Sequence, residues 1–267
     1  MSHRVEPALS LEERERRGRS DLPLELVLVR HAEPDWQSAR QKGADPGLTA
    51  LGRRQAAALA EHLRHHPLAA LYCSPLERAR ETAAAIAATQ QLAAIVVSDL
   101  AEIGVPMLSN VSQTEVDAYF LAAAKRPLRE HWEGFPGGEP FREFHTRVTR
   151  AIAGVFAHYG VHAQVVDGFP AWSAPARAQT LRIGVVAHGG TNSVILTHLL
   201  GIAPVPWEWI RFETPLAAYS VVALRAINDQ GYVWSLQQFG RRALPPLAAE
   251  SVDKREGVPL DTPPKEG

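Results

Sequence analysis

Leu24-Glu25-Leu26-Val27-Leu28-Val29-Arg30-His31-Ala32-Glu33 decides the reading of this chain. A short run rich in Leu and Val, ended abruptly by polar residues, reads as a strand buried on both faces, as in a parallel sheet. Open α/β sheets bind ligands outside the carboxyl ends of such strands. An arginine and a histidine delivered there together suit an anionic ligand. The arginine supplies a rigid fork of donors, and the histidine supplies a nucleophile or a base. The pattern recurs at Arg182-Ile183-Gly184-Val185-Val186-Ala187, which ends in His188-Gly189-Gly190.

Working outward, strand and helix signals alternate. Strands are expected at Leu24–Val29, Ala69–Cys73, Ala94–Ser98, Arg182–Ala187, Ser220–Leu224 and Tyr232–Gln238. Thr49 can cap a helix running to about Arg64, in which Ala56, Leu59 and Leu63 recur at helical spacing. Ser74-Pro75 reads as a helix start, with a capping hydroxyl and proline at the first helical position, and Thr191 reads as another cap. The fold class is therefore α/β, a three-layer α/β/α sandwich with a mainly parallel central sheet. Val105 to Glu133 is expected to form a helical insertion over the pocket. Gly160 to Gln179, with Gly168, Pro170 and Pro175, reads as a loop excursion.

The chain has 267 residues, 46% hydrophobic and 21% charged, with formal net charge −1. That suits a globular body with a sizeable core and gives no general basic surface for nucleic acid. The expected division is a flexible lead over 1–22, one domain over 23–244, and a Pro-, Glu- and Lys-rich flexible tail over 245–267. No apolar stretch approaches the roughly 20 residues of a membrane span, and the N-terminus has no apolar signal core, so a cytoplasmic location is expected. The single cysteine, Cys73, sits in an apolar run and reads as a small buried hydrophobe.

The ordered motifs resemble those of the histidine phosphatase superfamily, the phosphoglycerate mutase-like family. Arg30-His31-Ala32-Glu33 follows the first strand and His188-Gly189-Gly190 a late one. Ser74-Pro75-Leu76-Glu77-Arg78-Ala79-Arg80-Glu81-Thr82-Ala83 lies between them. Leu48-Thr49-Ala50-Leu51-Gly52 and Pro136-Gly137-Gly138-Glu139 complete the set, so that the resemblance runs from about Leu24 to Phe239.

This resemblance implies a phosphomonoester hydrolase of the phosphatase branch, working through a phosphohistidine. His31 is then the nucleophile, with its second ring nitrogen donating to a backbone carbonyl. Arg30 and Arg78 clamp the phosphoryl group, Arg78 from the first turn of a helix whose positive end faces the same anion. His188 donates a hydrogen bond to the transferring group, and Gly189 and Gly190 let backbone N–H groups approach it. Glu102, in the segment resembling the family's glutamate-bearing strand end, is the proton donor and acceptor. Here the chain departs from a common pattern: Glu102-Ile103-Gly104-Val105-Pro106-Met107-Leu108 lacks the Gly-x-Trp-Glu-Gly continuation. Glu33 is expected to brace the arginine side, and Glu139 to support the pocket from behind. The remaining body histidines, such as His62 and His198, lie on helix faces or loops with no matched partner and read as structural.

No cofactor is expected, since no cluster reads as a metal site and no dinucleotide or Walker-type loop is present. The expected partner is a small phosphorylated substrate, without nucleic acid or membrane, and a homodimer is left open. Two other functions compete. A phosphoglycerate mutase would need extra cations after Glu102, where Val105 to Leu108 provides none and Lys125 and Arg126 are more distant. A non-catalytic phospholigand-binding module would tolerate loss of His31 or Glu102, yet both are present.

Overall fold

The computed structural model describes residues 23–38, 45–106, 112–176 and 179–243. The expected flexible lead and tail lie outside these residues. The strands are β1 (Leu24–Arg30), β2 (Ala70–Cys73), β3 (Ala94–Val96), β4 (His162–Val166), β5 (Phe169–Ser173), β6 (Leu181–Ala187), β7 (Ala218–Asn228) and β8 (Gly231–Arg242). The helices are α1 (Ala50–Leu63), α2 (Glu77–Gln90), α3 (Gln113–Ala124), α4 (Phe141–Ala157), α5 (Gly189–Leu199) and α6 (Glu208–Arg211), with 3-10 turns at Ser98–Leu100 and Leu128–Glu133.

All eight strands form one sheet in the order β3-β2-β6-β1-β7-β8-β5-β4. β1 explains why its sequence is almost continuously apolar. Leu24, Leu26 and Leu28 point into a core shared with α4 and α5. Val27 and Val29 point into the opposite core, shared with α1 and α2. A strand covered on both faces loses the polar alternation of a half-exposed one. α4 lays Phe141, Phe144, Val148, Ile152, Val155 and Phe156 on its buried side, the three- and four-residue spacing of a single helical stripe. Cys73 is buried as expected, and burial pushes its thiol pKa up. Among the described residues no helix is long and apolar enough to cross a membrane.

The sheet is mixed, which corrects the expectation of a mainly parallel one. β3–β2, β2–β6 and β6–β1 pair parallel. β1–β7, β7–β8, β8–β5 and β5–β4 pair antiparallel. Two of the antiparallel pairs, β4–β5 and β7–β8, are hairpins, in which a two-residue turn reverses the chain, whereas a parallel neighbour needs a long crossover. The segment read as a loop excursion is the β4–β5 hairpin. Its turn is Asp167-Gly168, both residues at positive φ (51° and 83°), as a type I′ hairpin turn requires.

Thr49 caps α1 as expected, its side chain accepting from Gly52 N at 2.8 Å. Ser74 and Thr191 do not cap. α2 begins at Glu77 after an N-cap Leu76, and α5 begins at Gly189 after an N-cap His188. Both hydroxyls are committed to the site below. The insertion contributes α3 and the second 3-10 turn. Tyr119 donates to Pro136 O at 2.8 Å, and Arg126 donates to Gly134 O, fastening the insertion to residues 134–136 that follow it. Residues 107–111 of the insertion lie outside the described residues.

Candidate active site

Arg30 is in register with Ala187 across the β1–β6 pair, and Cys73 is in register with Val186 across β2–β6. Three adjacent parallel strands therefore release His31, Ser74 and His188 at one edge of the sheet. The His31 and His188 rings stand there with centroids 5.1 Å apart, tilted by 56°.

His31 is 2% exposed. Its backbone N–H donates to Ala187 O at 2.9 Å, and its carbonyl accepts from Ala217 N at 3.1 Å. Nδ1 lies 2.8 Å from Ala32 O. A carbonyl only accepts, so Nδ1 carries the hydrogen and Nε2 carries the lone pair. The turn is bolted to α2: Ala32 N donates to Thr82 Oγ1 at 3.0 Å, and the Thr82 hydroxyl donates to Arg78 O at 2.7 Å. Burial, then the positive charges of Arg78 and Arg30, holds the His31 pKa well below its usual value. Both influences favour the uncharged ring.

Arg30 and Arg78 are 7% and 6% exposed. Arg30 Nη1 donates to Thr214 O at 2.6 Å, and its guanidinium lies beside Gly189. Arg78 sits in the first turn of α2, donates to Asp45 Oδ1 at 3.0 Å, and lies over the Trp36 ring at 5.1 Å. Asp45 also accepts from Glu77 N, so one carboxylate serves both the helix start and the guanidinium.

His188 is 1% exposed. Its Nε2 lies 2.7 Å from Ser74 Oγ. Burial, followed by Arg78, His31, Arg30 and Arg147, keeps its pKa well below the usual value. His188 Nδ1 and Arg78 Nε have no hydrogen-bond partner among the described residues. Asn192, one turn along α5, is 2% exposed with both amide atoms likewise unpaired. Buried polar atoms without partners are costly, and a bound ligand or water ordinarily satisfies them.

Glu102 reaches the same sheet edge from the end of the β3 segment. Its carboxylate accepts from Gly190 N at 2.8 Å, Thr191 N at 3.1 Å and Ile103 N at 3.0 Å. It thus rests on the N-terminus of α5, where a helix favours an anion. A Cβ at position 190 would stand 2.5 Å from Glu102 Oε1, so the approach needs glycine. The Gly190 N–H expected to face a phosphoryl group is held by Glu102 in this structure. The Glu33 side chain meets the cap of α1: its Oε2 accepts from Thr49 Oγ1 at 2.9 Å.

The sequence reading missed Arg147. Its Nη1 donates to Asp99 O at 2.8 Å and Ala101 O at 2.9 Å, and its Nη2 donates to Glu102 O at 3.0 Å. Glu139 joins this support from behind, accepting from Gly104 N at 2.9 Å. Asp45 gives no local signal either, and Ser74, expected as a helix cap, meets His188 instead, since these partners are set by the fold rather than by local spacing.

The profile described as "Histidine phosphatase superfamily (branch 1)" matches residues 26–236. Among curated proteins, the chain is 36% identical over 128 residues to "Phosphoserine phosphatase 1" of Hydrogenobacter thermophilus, covering 47% of this chain and 61% of that protein. It is 28% identical over 193 residues to "Probable phosphoglycerate mutase GpmB" of Yersinia enterocolitica, covering 68% of this chain and 77% of that protein. The chain thus spans about three-fifths of the first of these relatives. Among solved structures, a mycobacterial glucosyl-3-phosphoglycerate phosphatase with inorganic phosphate superposes with a TM-score of 0.60 at 25% identity, over 82% of this chain and 98% of that one.

Proposed function

Because the chain belongs to the histidine phosphatase superfamily, branch 1, we propose that it hydrolyses phosphomonoesters through a phosphohistidine on His31. The observation that carries this reading is the buried His31 ring. Its Nδ1–H is tied to Ala32 O, and it faces His188 at 5.1 Å beside Arg30 and Arg78. A neutral imidazole with one nitrogen tethered offers the other as a lone-pair nucleophile.

In the first half-reaction the Nε2 lone pair attacks phosphorus, and the bond from phosphorus to the ester oxygen breaks in line with it. Arg30 and Arg78 neutralise the equatorial oxygens, and His188 Nδ1 faces one of them. The leaving alkoxide takes a proton from Glu102, which enters this step as the carboxylic acid, the form in which the second half-reaction leaves it. An incoming phosphoryl group draws on the same α5 N-terminus that holds the Glu102 carboxylate, displacing it from those donors toward the reacting atoms. In the second half-reaction Glu102 takes a proton from water, the water oxygen attacks phosphorus, and the P–N bond breaks. Inorganic phosphate leaves, and the His31 lone pair is restored.

The substrate class is a small phosphorylated metabolite. The named relatives support this, acting on phosphoserine and glucosyl-3-phosphoglycerate. The test is release of inorganic phosphate from a nitrophenyl phosphate ester and from phosphoserine, with His31→Ala as control. Release by the wild type and at least a thousandfold loss in His31→Ala are expected. Phosphoryl exchange between phosphoglycerate isomers with negligible phosphate release would establish the mutase instead. Binding of phosphate esters with no turnover would establish a binding module.

A further inference from the structure

We infer that Ser74 is a positioning residue that fixes His188 in the tautomer with its proton on Nδ1, making His188 a neutral hydrogen-bond donor to the phosphoryl group. The inference rests on the reading of this site as a phosphatase centre.

The argument is one of donors and acceptors. Ser74 is fully buried. Its hydroxyl accepts from Leu76 N at 3.2 Å and lies 2.7 Å from His188 Nε2. A hydroxyl has one hydrogen to give. If His188 carried its proton on Nε2, Ser74 Oγ would accept from both neighbours. Its own hydrogen would then have no acceptor among the described residues, which is costly for a fully buried hydroxyl. If Nε2 carries the lone pair, Ser74 donates to it while accepting from Leu76 N, and every atom of the trio is satisfied. The remaining nitrogen, Nδ1, then bears the hydrogen. It is the buried atom left without a partner among the described residues.

The two histidines are thereby set in complementary roles. His31 gives its Nδ1 hydrogen to Ala32 O and presents a lone pair. His188 receives a hydrogen at Nε2 and presents one at Nδ1. Both rings are kept uncharged by burial and by the two arginines. A neutral donor strengthens its hydrogen bond as charge gathers on the phosphoryl oxygens, and it gives up no proton of its own. Ser74 also stands at the end of β2, whereas His188 ends β6, so the parallel pairing of these strands positions the donor.

The test is nitrogen NMR of protein labelled with 15N-histidine, without substrate, near neutral pH. The His188 signals are assigned by their loss in His188→Gln. The wild type should show a pyrrole-type Nδ1 and a pyridine-type Nε2 for His188. Ser74→Ala should shift His188 to a mixture or to the opposite tautomer, and Ser74→Thr, which keeps a hydroxyl, should retain the wild-type pattern. Ser74→Ala should also lower kcat about ten- to hundredfold with KM changed less than about threefold. A pyrrole-type Nε2 in the wild type would overturn the inference whether or not the variants fold. So would an unchanged Nδ1–H tautomer in folded Ser74→Ala, or a loss confined to KM. Because the spectra need no turnover, a wild type that hydrolyses nothing would defeat the phosphatase reading while leaving the tautomer assignment decided by NMR.

Discussion

Arg147 and Glu139 form a two-pronged ion pair, Nε to Oε1 at 2.6 Å and Nη2 to Oε2 at 2.7 Å. The pair clamps the backbone on either side of Glu102, since Arg147 holds three carbonyls before and at it and Glu139 holds the Gly104 N–H after it. Planar bidentate pairing is a property of arginine that lysine lacks.

Arg147→Lys should therefore lower kcat for alkyl phosphates about tenfold or more, and lower unfolding stability by about 2 kcal/mol. Steady-state kinetics and urea denaturation check both. Wild-type kcat in a destabilised variant would mean that the clamp serves folding alone.

Gly190→Ala separates geometry from stability. The added Cβ meets the far end of the flexible Glu102 side chain at 2.5 Å, not a backbone atom. Stability should change by less than about 1 kcal/mol, whereas turnover should fall at least about tenfold as the carboxylate is pushed off the α5 N-terminus. Full activity would show that the resting position of Glu102 is irrelevant to catalysis.

Asp45→Asn addresses the phosphate clamp. Asp45 holds Arg78 with a full negative charge, so it competes with a bound phosphate for the same guanidinium. The amide keeps an oxygen acceptor but loses the charge. Inhibition by inorganic phosphate should tighten about three- to tenfold, corresponding to roughly 1 kcal/mol. Weaker inhibition would mean that Asp45 chiefly orients Arg78 for binding.

The lowered pKa values of His31 and His188 set a pH dependence of stability. In the unfolded chain both histidines take up protons below about pH 6.5, while the folded pocket keeps them neutral well below that. The unfolded state then binds more protons, so folding stability is fully retained above about pH 6.5. It falls as the pH drops toward the depressed folded values, by up to about 1.4 kcal/mol per pH unit for each histidine. Urea midpoints between pH 7 and pH 5 should fall more steeply for the wild type than for a His31→Gln, His188→Gln double variant. Parallel pH profiles would contradict the neutral assignment.

The parallel half of the sheet was legible because β1 and β6 are covered on both faces and so read as unbroken apolar runs. The antiparallel half was less so. Asp167-Gly168 is a hairpin signal, but His162 to Val166 beside it is half-polar and exposed and carries no apolar stripe. The pairing of Arg30-His31 with His188 was also legible, since strand-end residues inherit their positions from the sheet. Local spacing marks Ser74 and Thr191 as caps, and tertiary partners take their hydroxyls instead: Ser74 meets His188 across 114 residues, and Thr191 donates to Ala101 O across 90. Arg147 lies 45 residues from the Glu102 carbonyl it holds. Such contacts depend on which loops the fold lays together, and no periodicity encodes them.

Rapid-quench trapping of the enzyme intermediate bears most directly on the phosphohistidine. Protein mixed with 32P-labelled substrate, and quenched in alkali within the first turnover, should carry an acid-labile, alkali-stable phosphate. Peptide mapping should place it on His31 in the wild type, and His31→Ala should carry none. Label on another residue, or phosphate released in a burst from unlabelled protein, would contradict the mechanism.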